Sequence, residues 1–272
     1  MGLPFKAIAV DMDGTFLNEK HDFDHEKFRE ILTELHQRQV KFIISSGRPY
    51  VRLRKDFADF YSELSFVTSN GARLIENDQE VALQQLARKD AIGVIDFVNQ
   101  RYADATTLVF HTKQSYINRD APKNVKEFLE YFAGCSCIEV SDWSVLPENG
   151  ILEVTFHVPD SSIAKEIEAA YNQEFGQKIS AFASAKNAVD VNAYGVNKGE
   201  GLKLLLEKMY LTGDDLMAFG DGGNDVEMLQ FAKYSYAMKN GSQEAKDAAK
   251  YLAPANTEDG VFKVIKNYLS NN

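Results

Sequence analysis

The chain has 272 residues, enough for one large domain or two modest ones, and its 44% hydrophobic and 26% charged residues are those of an ordinary globular protein. No apolar run approaches the roughly 18 residues needed to span a bilayer, so a membrane partner is not expected. Thirty basic residues against 40 acidic ones give a formal charge of -10, without a block of basic residues to serve as a footprint for nucleic acid. An anion must therefore be bound locally, by a metal ion, a lysine or backbone amides. The first apolar run is short and passes straight into Asp11, without a secretory pattern, and a cytoplasmic location is expected.

The first 70 residues alternate strand and helix signals. "FKAIAV" is a short apolar run ending at Asp11. "DHEKFREILTEL" then places Phe28, Ile31, Leu32 and Leu35 on one helix face, with Asp24 as N-cap. Lys41 to Ser45 is the next strand, Pro49 opens a second helix, and "LSFVTSNGA" carries a third strand into a loop. Strand-helix alternation with short loops predicts a parallel sheet.

The middle of the chain reads differently. Helices are predicted over Ala87 to Tyr102, Val125 to Phe132 and Ser161 to Phe175. Between them stand the strand-like runs "TTLVFHT", "SYINRD", "ILEVTFHV" and "KISAFAS". Adjacent strands mixed with helices predict a separate α+β domain over 83–186. The alternating pattern then resumes with the strand "NAVDVN", the helix "NKGEGLKLLLEKM", the strand "DLMAF" and a closing helix in "EDGVFKVIKNYL". The expected fold class is thus α/β: a doubly wound, Rossmann-like core built from 1–82 and 187–272, with an inserted α+β domain.

Cys135 and Cys137, the two cysteines, are expected to be half-buried strand residues, because zinc would want about four ligands and no matching Cys or His cluster stands elsewhere. The five histidines are scattered and receive no role. Tyr116, Trp143 and His157 are candidates for substrate contact in the inserted domain, although an aromatic at a strand position is more often core.

Two apolar strands end alike. "AIAV" runs into Asp11 and Asp13, and "LMAF" into Gly220-Asp221-Gly222-Gly223-Asn224-Asp225. In open α/β sheets ligands bind beyond the carboxyl ends of the strands, so both acidic loops are expected on that edge. Carboxylates gathered there repel one another by several kcal/mol at an effective dielectric of about 20. A divalent cation removes the repulsion, and oxygen-only ligands beside phosphate chemistry point to Mg²⁺. Either loop alone reads equally well as an Asp/Gly turn; the two together do not. Lys198, in the first turn of its helix, and "SSGRP" (Ser45 to Pro49) each read alone as a surface lysine and a plain turn. On the same edge they become a phosphate-facing cation and a source of hydroxyl and amide donors.

These pieces, in this order, resemble the haloacid dehalogenase superfamily of phosphohydrolases. "DMDGT" is similar to its first motif, Ser46 in "SSGR" to its second, Lys198 to its third and "GDGGND" to its fourth. "TSNGA", "AMKNG" and "NTEDGV" extend the resemblance to the Cof-type sugar-phosphatase group, in which a large α/β cap lies between the second and third motifs. The resemblance covers roughly 1–82 and 187–272, and the middle matches mainly by length and position. Two departures, Phe16 for the usual leucine and Ser46 for a common threonine, keep the apolar character and the hydroxyl.

The resemblance implies a phosphatase acting on small phosphate monoesters, sugar phosphates in this group, through an aspartyl-phosphate on Asp11. Asp13 is implied as the acid and base that serves the leaving group and then water. Mg²⁺ is implied on Asp11, the backbone carbonyl of Asp13 and Asp221, with Asp225 behind them. Lys198 is implied to offset charge, and Met12, Ser46, Gly47 and Asn224 to cradle the phosphate; Arg48 and Asn70 are further candidates for substrate contact. Two alternatives share part of this pattern. A phosphomutase or phosphotransferase keeps the same aspartates, and a phospho-accepting regulator like a response-regulator receiver has an acidic cluster, Mg²⁺ and a lysine. The receiver needs only about 120 residues and lacks an acid placed like Asp13. Oligomeric state is not legible.

Overall fold

A computed structural model describes the backbone of residues 2–175, 179–185 and 187–271, and the side chains of these apart from 175–185. Lys186, at the edge of the predicted insert, lies outside the described residues. In chain order the first elements are β1 (Ala7–Val10), α1 (His25–Gln37), β2 (Lys41–Ser45), α2 (Tyr50–Asp56), β3 (Ser65–Thr68), β4 (Arg73–Glu76) and β5 (Gln79–Leu83). Then come α3 (Arg88–Arg101), β6 (Thr106–His111), β7 (Tyr116–Asn118), α4 (Lys123–Ala133), β8 (Ile138–Val140), β9 (Ile151–His157), α5 (Ser161–Phe175), β10 (Ile179–Ala185) and β11 (Ala188–Ala193). The chain closes with α6 (Lys198–Lys208), β12 (Leu216–Gly220), α7 (Val226–Phe231), β13 (Tyr234–Met238), α8 (Gln243–Ala248), β14 (Tyr251–Ala253) and α9 (Gly260–Asn271).

By contacts the chain forms two units, one of 1–46, 60–82 and 197–272, the other of 47–59 and 83–196. The first holds an eight-stranded sheet in the order β14-β13-β12-β1-β2-β3-β4-β5. From β14 to β3 neighbouring strands run parallel, and β4 turns back antiparallel on β3. Strands of a parallel sheet covered on both faces read as unbroken apolar runs. Ala7, Ile8, Ala9 and Val10 accordingly have no exposed surface. Helix α1 buries the predicted stripe of Phe28, Ile31, Leu32 and Leu35, and the Asp24 carboxylate accepts the Lys27 N–H at 3.0 Å as its cap.

The second unit holds a six-stranded sheet in the order β10-β11-β9-β6-β7-β8, antiparallel except for β7 beside β8. Its core gathers Val94, Ile95, Val98, Val109, Val154, Phe156, Val189 and Val191. The strand "NAVDVN", expected in the first sheet, belongs here instead. As β11 it pairs antiparallel with both β9 and β10, so Val189 and Val191 join this core. Helix α2 also groups with this unit, because Arg52 donates to the Tyr131 carbonyl and lies over the Tyr131 ring at 4.2 Å. Tyr116 and Trp143 are core residues of the same unit, while His157 is half-buried at the end of β9.

Cys135 and Cys137 are free and half-buried, but they lie in the turn between α4 and β8 and not in a strand. Burial pushes the Cys137 thiol up to about 12, which keeps it protonated and unreactive. No helix among the described residues is long and apolar enough to cross a membrane.

Candidate active site

Strand β1 lies between β2 and β12, with Val10 in register with Ile44 on one side and Phe219 on the other. The residues that follow, Asp11, Ser45–Ser46 and Gly220–Asp221, therefore leave the sheet along one edge. The Asp11 N–H donates to the Phe219 carbonyl at 3.0 Å, which continues the ladder to the first carboxylate.

Lys198 reaches that edge from α6. Asn197 caps the helix by accepting the Glu200 N–H at 2.8 Å, so Lys198 is its first residue. The helix start packs directly on the turn after β3. A Cβ at Gly201 would stand 2.8 Å from the Gly71 Cα, and one at Gly71 would meet the Asn197 carbonyl. This close approach brings Lys198 in with 1% of its surface exposed. Its ammonium donates to Asp11 Oδ1 and to Asp225 Oδ1, each at 2.6 Å. A solvated surface lysine is thereby excluded.

The acidic groups converge around it. Asp11, Asp221 and Asp225 each offer a carboxylate oxygen within 4.8 Å of the others. Asp225 is saturated by protein donors: one oxygen takes Lys198, and the other accepts the N–H groups of Asp221 and Gly222, both at 2.9 Å. It thus orients the loop and the lysine. Asp221 accepts the Thr15 hydroxyl at 2.9 Å. Gly14, at φ +82°, takes a left-handed conformation that suits glycine, and a Cβ there would collide with the Asp221 carboxylate.

Three carboxylates face one ammonium. Burial pushes the Asp11 carboxyl well above the ordinary range, and the neighbouring Asp225 raises it further. Burial and then Asp225 push Asp221 up to about 6. Burial works against the Lys198 charge, but Asp11 and Asp225 outweigh it and hold the ammonium protonated. A divalent cation fits this excess of negative charge. Asp11 and Asp221 are hard oxygen donors of the kind Mg²⁺ takes, one or two at a time.

After Asp11 the chain turns: Met12–Phe16 winds into a wide turn, with the Leu17 N–H donating to the Met12 carbonyl at 2.9 Å. The Asp13 carboxylate is exposed and lies 3.3 Å from His21 Nδ1, so it is not among the three carboxylates that converge. Any part it takes in metal binding falls to its backbone. Met12 is buried in the same turn.

The remaining candidates divide. Ser46 is buried just past β2; its N–H donates to the Val67 carbonyl at 2.9 Å, and its carbonyl accepts the Asn70 N–H at 3.1 Å. Asn70, left-handed at φ +53°, accepts from Asn224 Nδ2 at 3.1 Å. Ser46, Asn70 and Asn224 are thus linked in one chain of bonds. Gly47 and Arg48 group with the second unit, where the Arg48 guanidinium pairs with Asp56 at 2.8 Å.

Three residues escaped the sequence reading. Thr15 holds Asp221, as above. Asn240 Nδ2 donates to the Gly14 carbonyl and Asn256 Nδ2 to the Leu17 carbonyl, both at 2.7 Å. The Asn256 N–H in turn donates to Asn240 Oδ1 at 3.0 Å. Their signal was present in "AMKNG" and "NTEDGV", which read only as patterns until the structure showed both clamping the turn after Asp11.

Comparison with known proteins identifies the family. The family model of the haloacid dehalogenase-like hydrolases matches residues 8–265. The Escherichia coli protein 5-amino-6-(5-phospho-D-ribitylamino)uracil phosphatase YbjI is 28% identical, over 98% of this chain and 97% of its own. The Bacillus subtilis phosphatase YcsE, of the same descriptive name, is 27% identical over 97% of this chain and 96% of its own. The crystal structure of SMU.1108c from Streptococcus mutans superposes with a TM-score of 0.92 at 38% identity, covering 98% of this chain and 99% of the other. With the motifs, the fold and the family model in agreement, the chain belongs to the haloacid dehalogenase-like hydrolases and is a phosphatase.

Proposed function

We propose that this phosphatase hydrolyses small phosphate monoesters in a Mg²⁺-dependent reaction, through an aspartyl-phosphate on Asp11. The observation that carries the reading is the buried constellation of Asp11, Lys198, Asp225 and Asp221 at one edge of the parallel sheet.

Asp11 attacks the phosphorus with one carboxylate oxygen, and the ester oxygen leaves with the electron pair of the broken P–O bond. Asp13 gives that oxygen a proton, then removes one from the water that attacks the phosphorus of the acyl phosphate, breaking its P–O bond to Asp11 and releasing phosphate and the free carboxylate. Lys198, held by Asp11 and Asp225, stabilises the charge that builds on the phosphoryl oxygens. Ser46 and Asn224 supply hydrogen bonds to the phosphoryl group, with Met12 and Gly47 adding backbone amides. Arg48 and Asn70 serve the substrate beyond it. Asp11, Asp221 and the Asp13 carbonyl would hold Mg²⁺, which when bound would offset the charge of the phosphate and of the attacking carboxylate.

The stretches 1–82 and 197–272 carry the catalytic residues in this reading, and 83–196 acts as the cap that selects substrate. Two relatives carry a phosphoribityl compound in their names. A primary phosphate ester of a sugar or sugar alcohol is therefore the substrate class to test first. Such esters are cytoplasmic metabolites, which fits the location expected from the sequence.

The test is Asp11→Asn, assayed for phosphate release from a panel of phosphorylated sugars and sugar alcohols with and without Mg²⁺. The variant is expected to keep its circular dichroism spectrum and lose Mg²⁺-dependent release. Full activity in that variant excludes Asp11 as the nucleophile.

A further inference from the structure

We infer that His21 is a positioning residue for Asp13, fixing the carboxyl that exchanges protons with the leaving group. The inference rests on the proton-transfer role proposed for Asp13.

The Asp13 carboxylate is exposed and lies outside the buried network that joins Asp11, Asp225 and Lys198. An exposed aspartate samples several rotamers, while proton transfer requires a defined approach to the ester oxygen. His21 Nδ1 lies 3.3 Å from Asp13 Oδ1, eight residues along the chain. With its proton on Nδ1, the imidazole donates to that oxygen and leaves the carboxyl oriented by one end.

The position of His21 is itself determined by a built turn. Asn18 Oδ1 accepts the Lys20 N–H at 2.8 Å and the Asp22 N–H at 3.3 Å. The Asn18 N–H donates to the Asp22 carbonyl at 2.9 Å, and the His21 N–H to the Asn18 carbonyl at 3.0 Å. This closure places His21 at φ +55°, a left-handed conformation that folds its side chain back toward Asp13. Both ends of the turn are anchored. Asn256 holds the Leu17 carbonyl, and buried Phe23 packs on Phe16 with ring centroids 5.0 Å apart. The chain thus spends a hydrogen-bonded, packed turn on bringing one imidazole to one carboxylate.

A leaving-group comparison separates positioning from general structure. Phenyl phosphate and p-nitrophenyl phosphate are nearly the same size, but phenolate is much the more basic leaving group and depends more on protonation. The full-length protein with Mg²⁺ is assayed for kcat/KM on both esters, as wild type, Asp13→Asn, His21→Gly and His21→Asn. Glycine removes the imidazole and accepts the left-handed backbone; asparagine also accepts it and offers an N–H near the place of Nδ1.

Asp13→Asn is expected to slow phenyl phosphate by about 100-fold, and p-nitrophenyl phosphate far less. His21→Gly is expected to lower phenyl phosphate turnover by about fivefold, the reach of one exposed pair, and to spare the nitrophenyl ester. His21→Asn should recover most of that loss. If Asp13→Asn discriminates between the esters and His21→Gly affects both alike, or neither, the role of His21 is overturned while that of Asp13 stands. If Asp13→Asn lowers both esters equally, the proton-transfer reading fails and the inference falls with it.

Discussion

Lys198 Nζ and Asp11 Oδ1 lie 2.6 Å apart, both residues buried, across 187 residues of sequence. The same ammonium reaches Asp225 at 2.6 Å, so one cation joins the end of β1 to the loop after β12. Removing one partner of a buried pair leaves the other charge uncompensated, at a typical cost of about 3–5 kcal/mol. Lys198→Met should therefore show a lower urea midpoint at pH 7 and lose phosphatase activity by about 100-fold or more. Unchanged stability would mean that the carboxylates find compensation elsewhere.

The acidic cluster also predicts a pH dependence. Asp221 is raised from 3.8 to about 6, and Asp11 is raised well above the same starting value. Between about pH 4 and 6 the folded, cation-free protein therefore binds more protons at these sites than the unfolded chain does. Their contribution to stability falls as pH rises through that window. Mg²⁺ competes with those protons and relieves the repulsion once they are gone. The rise in melting temperature on adding Mg²⁺ to chelator-treated protein should be larger at pH 7 than at pH 5. An Asp221→Asn variant should lose most of that difference, and an equal rise at both pH values would contradict the account.

Thr15 touches no substrate in this scheme, yet it orients Asp221 through a 2.9 Å bond. Thr15→Val keeps the shape and deletes the donor, leaving Asp221 more easily protonated and less fixed. Partners that orient metal ligands typically matter by about 10- to 100-fold in affinity. The Mg²⁺ concentration for half-maximal activity should rise within that range, with the maximal rate little changed.

Much of this site was legible before the fold was known. Asp11 and Asp221 each end an apolar strand, and strand ends on one sheet edge are where ligands gather. Helix α1 was readable from its stripe and its Asp24 cap. Lys198 was not, taken alone, because only the packing of Gly201 on Gly71 shows why it is buried. "NAVDVN" carries a clear strand pattern, but alternation says nothing of which sheet a strand joins, and β11 joined the second. The turn at Asp13 was hidden for a similar reason. Its course depends on Asn240 and Asn256, more than 220 residues away, holding the carbonyls of Gly14 and Leu17.

The central claim is that Asp11 carries the phosphoryl group during turnover, and it can be read directly. The full-length protein with Mg²⁺ is mixed with a rapidly turned-over phosphate ester, quenched in acid within a turnover and digested for mass spectrometry. The account predicts a peptide spanning Asp11 that is heavier by one phosphoryl group, with the modification on Asp11, absent from Asp11→Asn and lost on neutralisation. A phosphoryl group on another residue, or none while phosphate release shows its pre-steady-state burst, would contradict it.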